Sequence, residues 1–560
     1  MNKPFLANGG SDKALAELPW WKTATGYQIY PRSFCDSNGD GIGDIPGIIS
    51  KLDYLAELGI GFIWLSPVYK SPMVDNGYDI SDYQDIAPEF GTLADMDALI
   101  AEARARGIGI VMDLVVNHCS SEHPWFRAAL ASEDAPEHDY FVWRKPRPGR
   151  NEAPDDLQSS FGGPAWTYIP ELGKYYLHQF AREQPDLNWD NATLRAEIYR
   201  MMNWWFDRGV AGFRMDVIDL IGKDVDAGIM GNGPKLHDYL QEMHRETLAG
   251  RDVVTVGESW SVTPENGILY CGSDRNELSM VFQFDHVKAG WDAKFGKWKP
   301  LPFDLTRFRK SFFDWQIALA EDGWNSLFLT NHDLPRQVSK YGNDGKFRVR
   351  SAKLLAIVLH LMKGTPFVYQ GEEIGMTNAL FARLEDFRDV ELFGHYDQAM
   401  AEGQTHDEFI SGANANGRDN ARTPMQWSAS EHAGFTSGIP WIAVNGNYPA
   451  INVAADMMNP DGVSALYRQL IALRKTLPIV SKGGFVPFAL TDATVFAYAR
   501  ELDHQRLSVV ANFSDAEILF DVPEGLRGIG RCLLFNVESR DRMVGQIKLA
   551  PWEAFALLSE

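Results

Sequence analysis

Four cysteines in 560 residues is few, and Cys35, Cys119, Cys271 and Cys532 stand far apart. They show no CxxC or Cys/His spacing, which argues against a disulfide framework or a zinc site and for four reduced thiols. The chain also lacks any run of about 18 apolar residues, the length a membrane-crossing helix needs. Its first ten residues contain no seven-residue apolar core of a signal peptide, so the expected location is cytoplasmic. No Lys/Arg run offsets a formal charge of -22 and a pI near 5.1. A negative surface repels phosphate backbones and acidic lipids, so neither nucleic acid nor a membrane is expected as a partner. There is no low-complexity tract and no internal repeat beyond the strand–helix alternation described next.

What is present is a large apolar fraction, 45% hydrophobic and 12% aromatic residues. That is enough for a sizeable core and more than one domain, since a single core rarely exceeds about 250–300 residues outside barrels. From about residue 20 to residue 375, short β-type apolar runs alternate with longer segments of helical period, the pattern of βα units around a parallel sheet. The strand candidates are 28–32, 62–67, 110–117, 212–217, 253–258, 280–285, 326–331 and 366–370, with helical patterns at 93–106, 194–208, 307–320 and 348–362. Eight repeats predict an α/β chain folded as a TIM (β/α)8 barrel rather than an open doubly wound sheet. The stretch 119–188 breaks this rhythm with Pro, Gly, His, Trp and Tyr and is expected to be a domain inserted after the third strand. Beyond about residue 480, short alternating segments separated by turn residues predict a C-terminal antiparallel β-sandwich domain over 481–560. The barrel then takes 1–118 and 189–480.

Asp216, Glu258 and Asp333 each end one of the apolar runs. A carboxylate left there must be solvated, paired or put to chemical use, because burying it unpaired is costly. Barrel sites are built at the carboxyl ends of the strands, so acids from strands four, five and seven converge. Any one of them alone reads as a cap or a salt bridge; three together read as an active site. Two carboxyl groups near an anomeric carbon break a glycosidic bond with retention if one is an ionised nucleophile and the other a protonated acid. Arg214 lies two residues before Asp216 on the same strand face and can hold that carboxylate ionised, which suits Asp216 to the first role and Glu258 to the second. Asp333 becomes a third acid gripping sugar hydroxyls. His118 and His332 fit as donors to those hydroxyls, or else as structural imidazoles.

These segments, Asp113-Leu-Val-Val-Asn-His118, Gly212-Phe-Arg-Met-Asp216, Glu258 after Val-Gly, and Asn331-His-Asp333, resemble in order and interval the four signature regions of the α-amylase family of glycoside hydrolases. Gln184-Pro-Asp-Leu-Asn188 is similar to the extra motif of its oligo-1,6-glucosidase branch. The resemblance extends from Trp20 into the C-terminal β domain. It implies a retaining, exo-acting α-glucosidase whose inserted domain closes one side of the pocket, working on a small oligosaccharide as a monomer or weak dimer. It also implies a clamp for the non-reducing glucose. In Asp75-Asn-Gly-Tyr78, Asp75 would bond O4 or O6 and Tyr78 would stack on the ring; Arg418 would complete the subsite, unless it is a surface salt bridge.

For linkage, the residue after the nucleophile is Val217, and family members with valine there tend to cleave α-1,6 bonds. A branched side chain at the rim narrows the space for an aglycone joined through a secondary oxygen, while a CH2-extended link bends past it. Asn331-His-Asp-Leu-Pro-Arg336 and Met215-Asp-Val-Ile-Asp219 look closest to dextran glucosidases. In that alignment Lys297 and Glu391 fall where such enzymes hold the second glucose, though both read equally well as solvated surface charges. The rivals are trehalose-6-phosphate hydrolase and an α-1,4- or sucrose-active glucosidase that transglycosylates. Sucrose isomerases carry Arg-Leu-Asp-Arg-Asp near 306–310, where this chain has Thr-Arg-Phe-Arg-Lys. Transporter heavy chains of the same fold have an anchor and lack the acids.

Asp36-Ser-Asn38-Gly-Asp40-Gly-Ile42-Gly-Asp44 offers oxygen ligands at alternate positions, like the first nine places of a calcium-binding EF-hand loop. Its twelfth place is Gly47 rather than glutamate. A structural Ca2+ is expected on Asp36, Asn38, Asp40, Ile42 and Asp44, with Mg2+ or a metal-free Asx turn as the alternatives.

Overall fold

The computed structural model describes residue 15, residues 17–150 and residues 152–560; residues 1–10, read above for a targeting segment, lie outside that set. Eight parallel strands form the centre: β1 (Gly26–Ile29), β2 (Phe62–Leu65), β3 (Gly109–Leu114), β4 (Gly212–Met215), β5 (Val254–Glu258), β6 (Met280–Phe282), β7 (Ser326–Leu327) and β8 (Thr365–Tyr369). They pair in the order β6–β5–β4–β3–β2–β1–β8–β7. A parallel bridge between Val281 and Asn325, and the Ser326 hydroxyl donating to the Val281 carbonyl at 2.8 Å, join the two ends. The sheet thereby closes into a barrel.

Most strands stop short of the expected bounds, the third at Leu114 and the sixth at Phe282, each three residues early, and two depart further in character. The first begins two residues earlier and stops at Ile29, because Pro31 has no N–H for a ladder and instead opens the 3-10 turn Pro31–Ser33. The seventh is only two residues long, and 328–331 leave the ladder on the way to Asp333.

Alternation along the strands sorts the rest. Phe62 and Trp64, Val254 and Val256, and Met280 and Phe282 face the barrel axis with Val111, Phe328 and Phe367. Ile63, Leu65, Phe213 and Met215 belong to the outer core. Burying each such side chain contributes about 1.5–3 kcal/mol. The same parity puts Arg214, Asp216 and Glu258 on the inner face, at the carboxyl end of the packed stack.

The outer helices include α1 (Leu93–Ala105), α2 (Ala192–Arg208), α3 (Leu305–Ala318) and α4 (Arg348–His360). Thr92 and Asp95 form a capping box on α1, and α2 runs from an Asn191 cap to Gly209 at φ 104. After β8, α5 (Val390–Ala401) and α6 (His406–Asn416) build a separate apolar layer, in which Leu392 and Phe409 pack with Trp298.

Residues 119–188 leave and return at the top of β3, where His118 bridges to Asp186 and the Leu187 N–H donates to the Asn117 carbonyl at 2.8 Å. Its described residues hold a short α-helix, Pro124–Ala131, a 3-10 helix, Pro136–Tyr140, and a three-stranded antiparallel sheet. At the other end of the chain, β9 (Gly484–Phe488), β10 (Val495–Leu502), β11 (Gln505–Asn512), β12 (Arg531–Phe535) and β13 (Ala554–Ser559) form an antiparallel sheet ordered β9–β10–β11–β13–β12. It docks on the barrel's helical shell through buried arginines: Arg309 of α3 donates to the carbonyl of Val495, and Arg500 to that of Leu361. No helix among the described residues is long and apolar enough to cross a membrane. The four cysteines are free thiols.

Candidate active site

The carboxyl ends of the strands open into a cavity of about 660 Å³, inside the roughly 300–1,000 Å³ range of small-ligand sites. Asp216, Glu258 and Asp333 all line it. Glu258 is the last residue of β5, and Asp216 follows β4 by one residue. Asp333 is turned inward after β7 by its own N–H, which donates to Asn331 Oδ1 at 2.8 Å. Val217, next to Asp216, holds φ 34, a left-handed conformation that a β-branched residue rarely adopts. In that conformation its N–H donates to Glu258 Oε2 at 3.1 Å, and Trp260 Nε1 donates to Oε1 at 3.0 Å.

Behind the acids, Arg214 is fully buried and donates to three carboxylates: Asp216 at 2.7 Å, Glu258 at 2.5 Å and Asp113 at 2.9 Å. Arg214 thus touches nucleophile and acid candidates together, rather than Asp216 alone. Burial pushes the Asp216 carboxyl well above its ordinary range, against the opposing pull of Arg214, and burial raises Asp113 in the same way. One guanidinium thus faces three buried carboxylates, an excess of negative charge that favours sharing a proton within the group.

In another part of the same lining, ion pairs gather on Arg418. Arg418 Nη2 reaches Asp75 at 3.2 Å, its Nη1 reaches Asp333 at 3.4 Å, and its Nε lies 3.2 Å from Glu391. Arg418 is buried here and is no surface salt bridge. Burial pushes Asp75 up to about 7, against Arg418 and Arg422. Burial acts to raise Asp333 as well, but contact with His332, Arg418 and Arg422 holds it well below the carboxylate range. Because burial also pushes His332 down to about 3, that imidazole is neutral and the two guanidiniums supply the charge.

Tyr78 and His118 line the cavity. Tyr78 stacks on His332 with ring centroids 5.1 Å apart and donates its hydroxyl to Asp113. His118, pushed down to about 4 by burial, is neutral. Gln184 of the Gln-Pro-Asp-Leu-Asn motif touches it at 3.1 Å and donates to Asp75 at 3.3 Å, which explains that motif's place beside the pocket. Arg214 and His332 stand behind the lining rather than in it. Val217 lines the cavity too, as do Lys297 and Glu391, which form a 2.5 Å ion pair and are not solvated surface charges.

Sequence reasoning missed the aromatic walls. Phe161 and Phe180 come from the inserted segment, and Phe161 lies over the Arg418 guanidinium at 4.9 Å. Trp260 stacks on Phe284 at 3.8 Å and on Trp291 at 5.7 Å along the other wall. The Trp- and Tyr-rich composition of 119–188 was the one available signal. Arg422, in the same motif as Arg418, donates to Asp333 at 2.8 Å and was also overlooked.

The loop from Asp36 to Asp44 lies outside the cavity. Asp36, Asn38 and Asp40 each accept a backbone N–H two residues on, at 2.9, 2.9 and 2.8 Å. Asn38 and Asp40 keep lone pairs open to a cation, but both Asp36 carboxylate oxygens are already filled by donors from Asn38, Gly39, Gly41 and Thr436, which a cation would have to displace. Among the described residues no three His, Cys, Asp or Glu side chains gather as a metal-binding group; the loop's donors include an asparagine and backbone.

The family description "alpha amylase, catalytic domain" matches residues 28–483. The chain is 54% identical to a palatinase of Erwinia rhapontici, over 98% of this chain and 100% of that one. It is 50% identical to an oligo-1,6-glucosidase of Parageobacillus thermoglucosidasius, over 96% and 98%. The crystal structure of Bacillus licheniformis trehalose-6-phosphate hydrolase superposes with a TM-score of 0.92 at 42% identity, covering 97% of this chain and 100% of that one.

Proposed function

Because this chain belongs to the α-amylase family of glycoside hydrolases, we propose that it removes single glucose units from the non-reducing ends of α-1,6-linked oligosaccharides, with retention of configuration. The observation that carries this reading is the pairing of two acids on Arg214 within a cavity that Arg418 and Asp75 also line as an ion pair. An arginine–carboxylate pair set to hold one terminal sugar suits cleavage from a chain end. Asp216 attacks the anomeric carbon while Glu258 gives its proton to the departing oxygen, leaving a glucosyl ester. Water, deprotonated by Glu258, then releases the sugar. Asp75, Arg418, Asp333 and His118 hold the hydroxyls, with His332 oriented behind Asp333. Lys297 and Glu391 reach the second sugar, and Val217 favours the flexible 1,6 link.

The relatives named oligo-1,6-glucosidase and glucan 1,6-alpha-glucosidase support the linkage. A phosphorylated substrate is the second reading, favoured by the trehalose-6-phosphate hydrolase likeness and by Lys294 and Lys297 in the lining. Glu391 and Glu402 line the same wall and offset those charges. The deciding experiment is glucose release from isomaltose, isomaltulose, panose, maltose, sucrose and trehalose 6-phosphate, with the anomer followed by NMR and Asp216→Asn as control. Faster cleavage of maltose than isomaltose overturns the linkage, and initial β-glucose overturns retention. We also propose that the loop oxygens of Asp36, Asn38, Asp40, Ile42 and Asp44 hold a structural Ca2+.

A further inference from the structure

Arg418 pairs with four acids, Asp75, Asp333, Asp389 and Glu391, and one of them does not line the cavity. Asp389, fully buried, accepts from Arg418 Nε at 2.9 Å and from Nη2 at 2.5 Å on the same oxygen, Oδ1. That oxygen also accepts the Glu391 N–H at 3.0 Å, which makes Asp389 the N-cap of α5. Asp75, Asp333 and Glu391, the other acids on Arg418, all face the cavity. A guanidinium offered only those three would be free to settle on whichever approached most closely. Held from behind on its Nε edge, it keeps Nη1 toward Asp333 and Nη2 toward Asp75. Because the same carboxylate caps the helix that carries Glu391, the grip on the first sugar and the wall beside the second are set by one group.

We propose that Asp389 is a positioning residue that acts through Arg418, fixing the clamp for the terminal glucose and registering α5 against it. The proposal rests on the reading of this cavity as a terminal-glucose site. Charge-assisted bonds of this kind are short and directional, so removing Asp389 leaves Arg418 held only by the acids that face the cavity.

Asp389→Ser keeps an oxygen able to cap α5 but loses both the charge and the reach to Arg418. It should raise KM for isomaltose and the inhibition constant for glucose at least about tenfold, with a much smaller change in kcat. In an Arg418→Gln background the same substitution should add almost nothing, since a residue that acts through Arg418 has nothing left to act on. Additive effects, or unchanged KM and glucose inhibition in Asp389→Ser, overturn the proposal. If Asp389→Ser does not fold, Asp389→Asn, nearly isosteric, is the replacement and is expected to show the same pattern at smaller size. Arg418→Gln alone separates the two levels: if it leaves glucose binding intact, the terminal-glucose reading has failed, whereas if it weakens binding and Asp389→Ser does not, only the role of Asp389 has failed.

Discussion

Gly394 of α5 lies so close to Phe161 of the inserted segment that a Cβ at 394 would stand 1.8 Å from the Phe161 carbonyl oxygen. The contact is reciprocal, since a Cβ on Gly162, at φ 88, would lie 2.5 Å from the Gly394 carbonyl oxygen. His395 adds a bond from Nε2 to the Ser160 carbonyl at 3.0 Å. The insert and α5 are thus joined backbone to backbone beside the cavity, at a spacing only glycine permits.

Gly394→Ala must therefore displace the backbone at Phe161, whose ring lies over Arg418. We expect a destabilisation of about 1–3 kcal/mol, as for other overpacked sites, together with a raised KM for isomaltose. Thermal melts and steady-state kinetics check this. A variant with wild-type KM would show that the junction does not shape the pocket.

Stability should carry the signature of Asp75. Its carboxyl is pushed up to about 7 by burial, against roughly 4 in an unfolded chain. The folded state binds this proton more tightly, so the group's stabilising contribution is complete at low pH and is lost as pH rises through about 7. Asp75→Asn removes that loss. Relative to wild type, its melting temperature should be higher at about pH 8 than at about pH 5; an equal difference at both would refute the assignment.

Linkage choice should respond to Val217, which lines the cavity beside Asp216. Val217→Ala opens the rim to links through secondary oxygens. The ratio of kcat/KM for isomaltose to that for maltose should fall by about 1–3 kcal/mol, roughly 10- to 200-fold. No change in that ratio would remove Val217 from the explanation.

The loop at Asp36 to Asp44 makes a prediction independent of activity. Adding Ca2+ after EDTA treatment should raise the melting temperature of the wild-type protein, and Asp40→Ala should abolish the rise, because ligand binding to the folded state stabilises it by mass action. Identical melts with and without Ca2+ would leave the Asx turns as the loop's whole structure.

Much of this was legible in the sequence, for reasons visible in particular residues. Arg214 and Asp216 share a strand face by the two-residue period, so their contact could be read directly, as could Glu258 on the same parity as Val254 and Val256. That Arg214 also holds Asp113 and Glu258 depends on which strands are neighbours. Lys297 and Glu391, 94 residues apart, read equally well as second-glucose contacts and as solvated charges, and only the path of the chain brings them to 2.5 Å. Asp389 left no sign, because an acid before a helix reads as an ordinary cap.

Local order decided the barrel's repeat, the inward parity of the acids and their place at strand ends, since alternation and helical period are properties of short segments. The assembly of the cavity's lining was decided only in three dimensions. Phe161, Asp75, Asp333, Asp389 and Arg418 come from widely separated parts of the chain, and a guanidinium shared among several carboxylates has no counterpart in any single stretch of sequence. Electrostatic balance in a buried site depends on every charge within reach, and the packing of distant segments determines which those are.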